Sequence, residues 1–148
     1  MRRKYRWISN PYNKDVIIAT WDSAGVLKRA VRLGGKENET ATGIAHDASD
    51  RLHLTGVFEG TLTIGNHHLR GNKQQNLFVL QYSGNTLLRA VKAVNAGTWL
   101  QVGGPSMSLD ASGNIFVTGA YPGTATFGDF KLQSNDGLDI FLAELAFK

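Results

Sequence analysis

Hydrophobic positions along this chain come in short, dense runs separated by turn residues. The runs VIIA (16–19), LFVL (77–80) and IFLA (140–143) are unbroken, whereas a strand with one wet face alternates apolar and polar residues. Runs of this kind predict strands buried on both faces. The punctuation between them is turn chemistry: DASD at 47–50, Gly60, SGN at 83–85 and DASGN at 110–114. The pattern predicts strands over 42–47, 51–58, 61–70, 76–82 and 86–94, then over 106–110, 114–121, 124–133 and 139–147. No stretch has a convincing helical period, and the expected class is all-β.

The two groups of strands are one sequence written twice. A shift of 63 sets Asp47, Ala48 and Ser49 on Asp110, Ala111 and Ser112, Thr55-Gly56 on Thr118-Gly119, and Gly60-Thr61 on Gly123-Thr124. Thr63, Gly65, Leu69 and Asn72 meet Thr126, Gly128, Leu132 and Asn135 in the same register. Matched glycines weigh most, because glycine is required where φ is positive or backbones approach closely. NLFVLQY (76–82) matches DIFLAEL (139–145), and at a shift of 61 DVIIATW (15–21) matches NLFVLQY as well. LKRAVRL (27–33) and LLRAVKA (87–93) form a further pair at a shift of 60.

A period of about 60 residues holding some four strands is the grammar of a β-propeller blade, a small antiparallel sheet stacked face to face on its neighbours. On this reading residues 1–14 are a basic N-terminal segment, 15–75 and 76–138 are two blade repeats, and a third copy begins at 139–148. A sandwich made from the two repeats is the alternative. Propellers close with about 4 to 8 blades, more than this chain supplies. Two blades alone expose large apolar faces that demand a partner, so the expected partners are further copies of the chain or further blades of a longer propeller.

DASGNIFVTGAYPG, followed by FGDF and GLDIFLAEL, resembles the bacterial β-propeller repeat family called SBBP. The second copy fits that family's pattern through Asp110, Gly113, Asn114, Thr118, Gly119, Asp129, Phe130, Gly137, Asp139 and Phe141. The first departs from it at Asp50 and Arg51, where Gly-Asn is expected, and at Gln74 and Gln75. The similarity spans residues 15–147. It implies a scaffold or binding surface, in a protein that is exported or envelope-associated, and it carries no chemistry of its own.

Composition changes this picture little. The 148 residues include 17 glycines and 3 prolines, as suits strands joined by tight turns, and no cysteine, which excludes disulfides and thiolate chemistry without assigning a compartment. Of the net charge of +4, a local +5 sits in residues 1–14 on Arg2, Arg3, Lys4, Arg6 and Lys14, leaving 11 basic against 12 acidic groups elsewhere. A nucleic-acid binder carries its basic surface on the folded body, so no nucleic-acid partner is expected. No apolar stretch is long enough to span a bilayer and no export signal is recognisable at the start.

Candidate chemistry is sparse. Adjacent His67 and His68 in a strand point to opposite faces and grip no single ion; His46 and His53 flank a turn, but the second copy has Leu109 and Phe116 there. No metal and no cofactor is expected. DASD and DASGN read as turn caps, not as a calcium loop. Glu59 and Glu144 stand alone, and no nucleophile or phosphate-loop motif occurs, so the expectation is a non-catalytic module, with an enzyme whose site is formed by loops of several blades as the alternative. Among the aromatics Trp7, Tyr12, Trp21, Trp99 and Tyr121, the loop residue Trp99 and the turn residue Tyr121 are the candidates for a contact surface, with carbohydrate or protein as the ligand. Trp21, at the end of an apolar strand, is expected in the core.

Overall fold

A computed structural model describes residues 13–95 and 104–147. These residues form strands and turns without a helix: β1 (Val16–Trp21), β2 (Leu27–Leu33), β3 (Glu39–His46), β4 (Arg51–Phe58), β5 (Thr61–Ile64), β6 (His67–Arg70), β7 (Asn76–Ser83), β8 (Thr86–Asn95), β9 (Ser106–Leu109), β10 (Ile115–Phe127) and β11 (Phe130–Leu145). The all-β class is as expected. Seven strands form one antiparallel sheet in the order β3-β4-β7-β8-β10-β11, with β9 pairing to β10 beside this path, while β1-β2 and β5-β6 are separate hairpins. The expected repeat boundary at 75/76 falls inside this sheet, because β4 and β7 pair along their full length, from Arg51↔Ser83 to Phe58↔Asn76.

The large sheet curls into a nearly closed, barrel-like form. The far end of β10 pairs with β8 through Ala125↔Asn95, Thr126↔Val94 and Phe127↔Ala93, which folds β9, β10 and β11 back over one face of β4 and β7. Across the remaining gap Thr42 on β3 donates its hydroxyl to the Pro105 carbonyl just before β9.

Side chains on the two faces of β4 and β7 therefore enter two different cores. Leu52, Leu54 and Phe58 join Phe78, Leu80 and Tyr82 beneath the β1-β2 hairpin, which adds Val16, Ile18 and Leu33. On the opposite face Val57, Leu77 and Val79 meet Ile115, Val117, Tyr121, Ala125 and Phe141 inside the barrel. This is why LFVL has no polar interruption: each alternate residue has a dry destination. The expectation of two buried faces holds for β7 and fails for VIIA and IFLA. In those runs Val16, Ile18 and Phe141 are buried, whereas Ile17, Ile140 and Leu142 face outward, because β1-β2 and β10-β11 are the outermost layers. Trp21 is likewise 61% exposed and not in the core, since it shares a face with Ile17.

Sequence-matched positions adopt matching geometry. Gly60 and Gly123 have φ of 64° and 67°, and Gly65 and Gly128 both have 58°. The latter two turn the chain back on itself, so 61–70 and 124–133, each expected as one strand, are hairpins: β5-β6 in the first, and the joined ends of β10 and β11 in the second. Thr55 and Thr118 donate their hydroxyls to the carbonyls of Phe78 and Phe141 at 2.9 and 2.8 Å. The glycine after each threonine leaves room for the same phenylalanine ring: a Cβ at Gly56 would stand 2.7 Å from Phe78, and one at Gly119 2.9 Å from Phe141. The Thr-Gly pair is thus a fitting for the phenylalanine of the neighbouring strand.

The departures of the first copy at Asp50 and Arg51 do the same work as the residues they replace. Asp47 Oδ1 accepts the amides of Ser49 and Arg51, as Asp110 Oδ1 accepts those of Ser112 and Asn114. Arg51 Nε donates to Asp47 Oδ2 at 2.6 Å where Asn114 Nδ2 donates to Asp110 Oδ2 at 2.8 Å. Asp50 takes the left-handed conformation of Gly113, with φ 56° against 82°, and is the single non-glycine residue there among those described.

Two outcomes are expected. Gly56→Ala forces the added methyl to within 2.1 Å of the Thr40 carbonyl oxygen as well as onto Phe78, and should cost about 3 kcal/mol or more in urea unfolding; an unchanged midpoint would refute the close-approach argument. Asp50→Gly relieves the left-handed strain and should stabilise by about 0.5–1 kcal/mol, a gain readable as a rise in Tm.

Candidate functional site

The outermost layers present the most distinctive surface. On β11 the alternation sends Phe141, Ala143 and Leu145 inward and leaves Ile140 and Leu142 80% and 73% exposed, with Leu138 beside them. At the other side of the molecule β1 sends Val16 and Ile18 inward and leaves Ile17 59% exposed, with Ala19 and Trp21 on the same face and Leu27 opposite Trp21. Isolated apolar residues on a surface need no explanation, but here they stand in rows along the outer faces of two strands. β11 also keeps one edge unpaired along its length among the described strands, since only β10 pairs with it.

Polar chemistry gathers at two places. At one end of the barrel His53 is fully buried on β4 and its Nε2 lies 2.9 Å from Asp47 Oδ2, the oxygen that Arg51 also holds. Burial alone would raise the Asp47 carboxyl, but hydrogen bonds from His53, from the Arg51 backbone and guanidinium, and from the Ser49 amide outweigh it and hold the group well below the usual carboxylate range. A His–Asp pair resembles acid–base machinery, yet here both carboxylate oxygens are consumed by turn amides and Arg51, and the ring is sealed from solvent. Its Nδ1 has no hydrogen-bond partner among the described residues. The arrangement clamps the β3-β4 turn.

The second place is Glu39, at the start of β3. Its side chain is buried, and neither carboxyl oxygen has a hydrogen bond of normal geometry among the described residues. Burial pushes its carboxyl up to about 8, opposed by the Gly35 amide and the Arg32 charge and reinforced by Asp15 and Glu37. Arg32 is itself paired with Asp15 at 2.8 Å. Beside this cluster lies an open polar groove of about 680 Å³ bounded by Arg32, Lys36, Glu37, Thr61, Thr63 and Lys73. Its charges are mixed in sign and no metal-binding cluster of histidine and carboxylate occurs among the described residues. A more enclosed apolar cleft between β8 and β11, lined by Val91, Ala93, Phe127 and Leu145, holds about 200 Å³, below the range of small-molecule pockets.

The residues singled out from sequence are not brought together. Trp99, with Trp7 and Tyr12, lies outside the described residues. Tyr121 is 5% exposed and packs inside the barrel against Phe141, ring centroids 6.4 Å apart, so its ring offers no face to a ligand; the expected turn at Pro122 is a bulge within the long strand β10, which keeps the tyrosine pointing inward. His46 pairs with Asp50 at 3.2 Å and His53 with Asp47, so the two histidines do not share a site. His67 and His68 are exposed on β6 and alternate in direction, His68 meeting Thr63 at 3.2 Å. Sequence reasoning passed over Glu39 and the outer rows Ile17-Trp21 and Ile140-Leu142. The rows were visible as odd and even members of apolar runs, but which member faces outward depends on the layer. No known protein family matches the chain, and neither the curated proteins nor the solved structures contain a match.

Glu39 makes stability depend on pH. The unfolded chain releases its proton near 4.5 and the folded chain near 8, so between these values the unfolded state binds fewer protons and rising pH favours unfolding, by up to about 1.4 kcal/mol per unit. Glu39→Gln removes this slope. Urea unfolding at about pH 4, 6 and 8 should give similar stabilities at the lowest pH and an advantage for the variant that grows to a few kcal/mol, roughly 2 to 4, at the highest; parallel pH profiles would rule out the buried neutral carboxyl.

Proposed function

We propose that the chain is a non-catalytic sheet-stacking module of β-propeller type, with the kinship to SBBP-like repeats expected from its sequence, and that it serves as a scaffold completed by self-assembly. The observation that carries this reading is the pair of open apolar faces on β1 and β11, at opposite sides of a stack whose inner faces are dry. Sheets that pack face to face on both sides leave such faces only at the outside of the stack. Covering each face with another sheet removes large side chains from water, at about 25 cal/mol per Å² of apolar surface.

The local geometry supports the same reading. The Thr-Gly fitting for a phenylalanine ring appears in both copies, as does the aspartate-capped turn. Those features hold neighbouring strands in register and orient no reactive group. The buried His53–Asp47 pair belongs to this structural class, because it is closed to substrate.

Light scattering on a size-exclusion column, over a wide range of concentration, measures the outcome. A discrete mass that is a multiple of the 16.1 kDa chain is expected. A monomer at every concentration would overturn self-assembly as the way the faces are covered.

A further inference from the structure

Resting on the assembly reading above, we infer that the joint between copies is directional: the outer face of β11, through Leu138, Ile140 and Leu142, seats on the outer face of β1, through Ile17, Ala19 and Trp21, of a second copy of this chain. The chain already makes this kind of joint twice within itself. In the first joint Val16 and Ile18 of β1 are buried with Phe78, Leu80 and Tyr82 of β7. In the second, Leu77 and Val79, on the opposite face of β7, are buried with Phe141 of β11, and Ala143 and Leu145 pack against them.

The sequence matches make these one joint, not two. At the shifts of 61 and 63 residues, Val16 and Ile18 correspond to Leu77 and Val79, and these to Ile140 and Leu142. The receiving rows correspond in the same way: Phe78, Leu80 and Tyr82 match Phe141, Ala143 and Leu145, and are matched on β1 by Ile17, Ala19 and Trp21. Each strand of the set therefore has an advancing row and a receiving row, and inside the chain an advancing row always meets a receiving one. Among the described strands two rows are left over: the advancing row of β11 and the receiving row of β1. They are of opposite kind, so they complete each other between copies.

Trp21 stands where Tyr82 stands in the internal joint. There the ring carries the Arg29 guanidinium 4.5 Å above its centroid, and Arg29 also donates to the Gly84 carbonyl at 2.8 Å. Trp21 thus offers a large aromatic like the Tyr82 of the first joint, at a place where the second joint has Leu145. A symmetric joint would set Ile140 and Leu142 against their own copies, a pairing of advancing rows that occurs nowhere among the described strands. A directional joint is heterologous and propagates from copy to copy until it closes into a ring or extends as a filament.

The test blocks one face at a time. Ile140→Lys with Leu142→Lys blocks the advancing row, and Ile17→Lys with Trp21→Lys blocks the receiving row. All four side chains are solvent-exposed within one chain, so the far-UV spectrum and melting temperature of each variant should stay near those of the wild type. Each blocked protein alone should run as a monomer, and an equal mixture of the two should give a 1:1 dimer and nothing larger, since each contributes its one intact face. A blocked variant that keeps the wild-type mass, or a folded pair that does not dimerise on mixing, overturns the inference while leaving self-assembly standing; a wild-type monomer overturns both.

A gentler pair of variants guards against misfolding, and the absence of native cysteine makes it clean. Ile140→Cys and Ile17→Cys, treated with a short bismaleimide, should cross-link into dimers when mixed and not when treated separately. Cross-linking of either variant with itself to the same yield would equally overturn the directional joint.

Discussion

The requirement that both faces of one thin layer be kept dry organises this protein. β4 and β7 form that layer, and their side chains alternate between two cores, with the polar His53, Thr55, Asn76 and Gln81 buried among them. Neither face can be left to water at about 25 cal/mol for each Å² of apolar surface, so the chain must supply a cover on each side. The β1-β2 hairpin, helped by β5-β6, covers one. The returning strands β9, β10 and β11 cover the other, and reaching that position is what bends the seven-stranded sheet toward closure.

Register between the strands is held by small, repeated fittings. A threonine hydroxyl donated to the carbonyl of a phenylalanine, together with a glycine that leaves space for that ring, fixes β4 against β7 and β10 against β11 in the same way. A slip of one residue would place the ring on the wrong face and the hydroxyl out of reach. At the turns, an aspartate that accepts two backbone amides fixes the entry to each second strand, and Arg51 stands in for Asn114 as the side chain that closes the turn.

The covers are themselves single layers, and that transfers the original requirement outward. β1 and β11 are each dry on one side and wet on the other, yet their sequences carry apolar residues on both. Their wet rows are apolar like the rows that are buried inside. On the directional joint proposed above, the module runs from a receiving face on β1 to an advancing face on β11.

Much of the fold was legible in the amino-acid order. Local chemistry determined the all-β class, the strand 51–58 to the residue, and the turns at Asp47 and Asp110, because glycine at positive φ and side-chain caps act over a few residues. The hairpins within 61–70 and 124–133 were legible in principle through Gly65 and Gly128, whose need for a left-handed backbone is also local. Tertiary structure alone decided which side of an apolar strand is wet. VIIA, LFVL and IFLA read alike, and only their order in the stack separates the doubly buried β7 from the half-exposed β1 and β11. It also decided that Tyr121 turns inward, that Trp21 turns outward, and that Glu39 loses contact with water, since burial is a property of what the rest of the chain places above a residue and not of the residue or its neighbours in sequence.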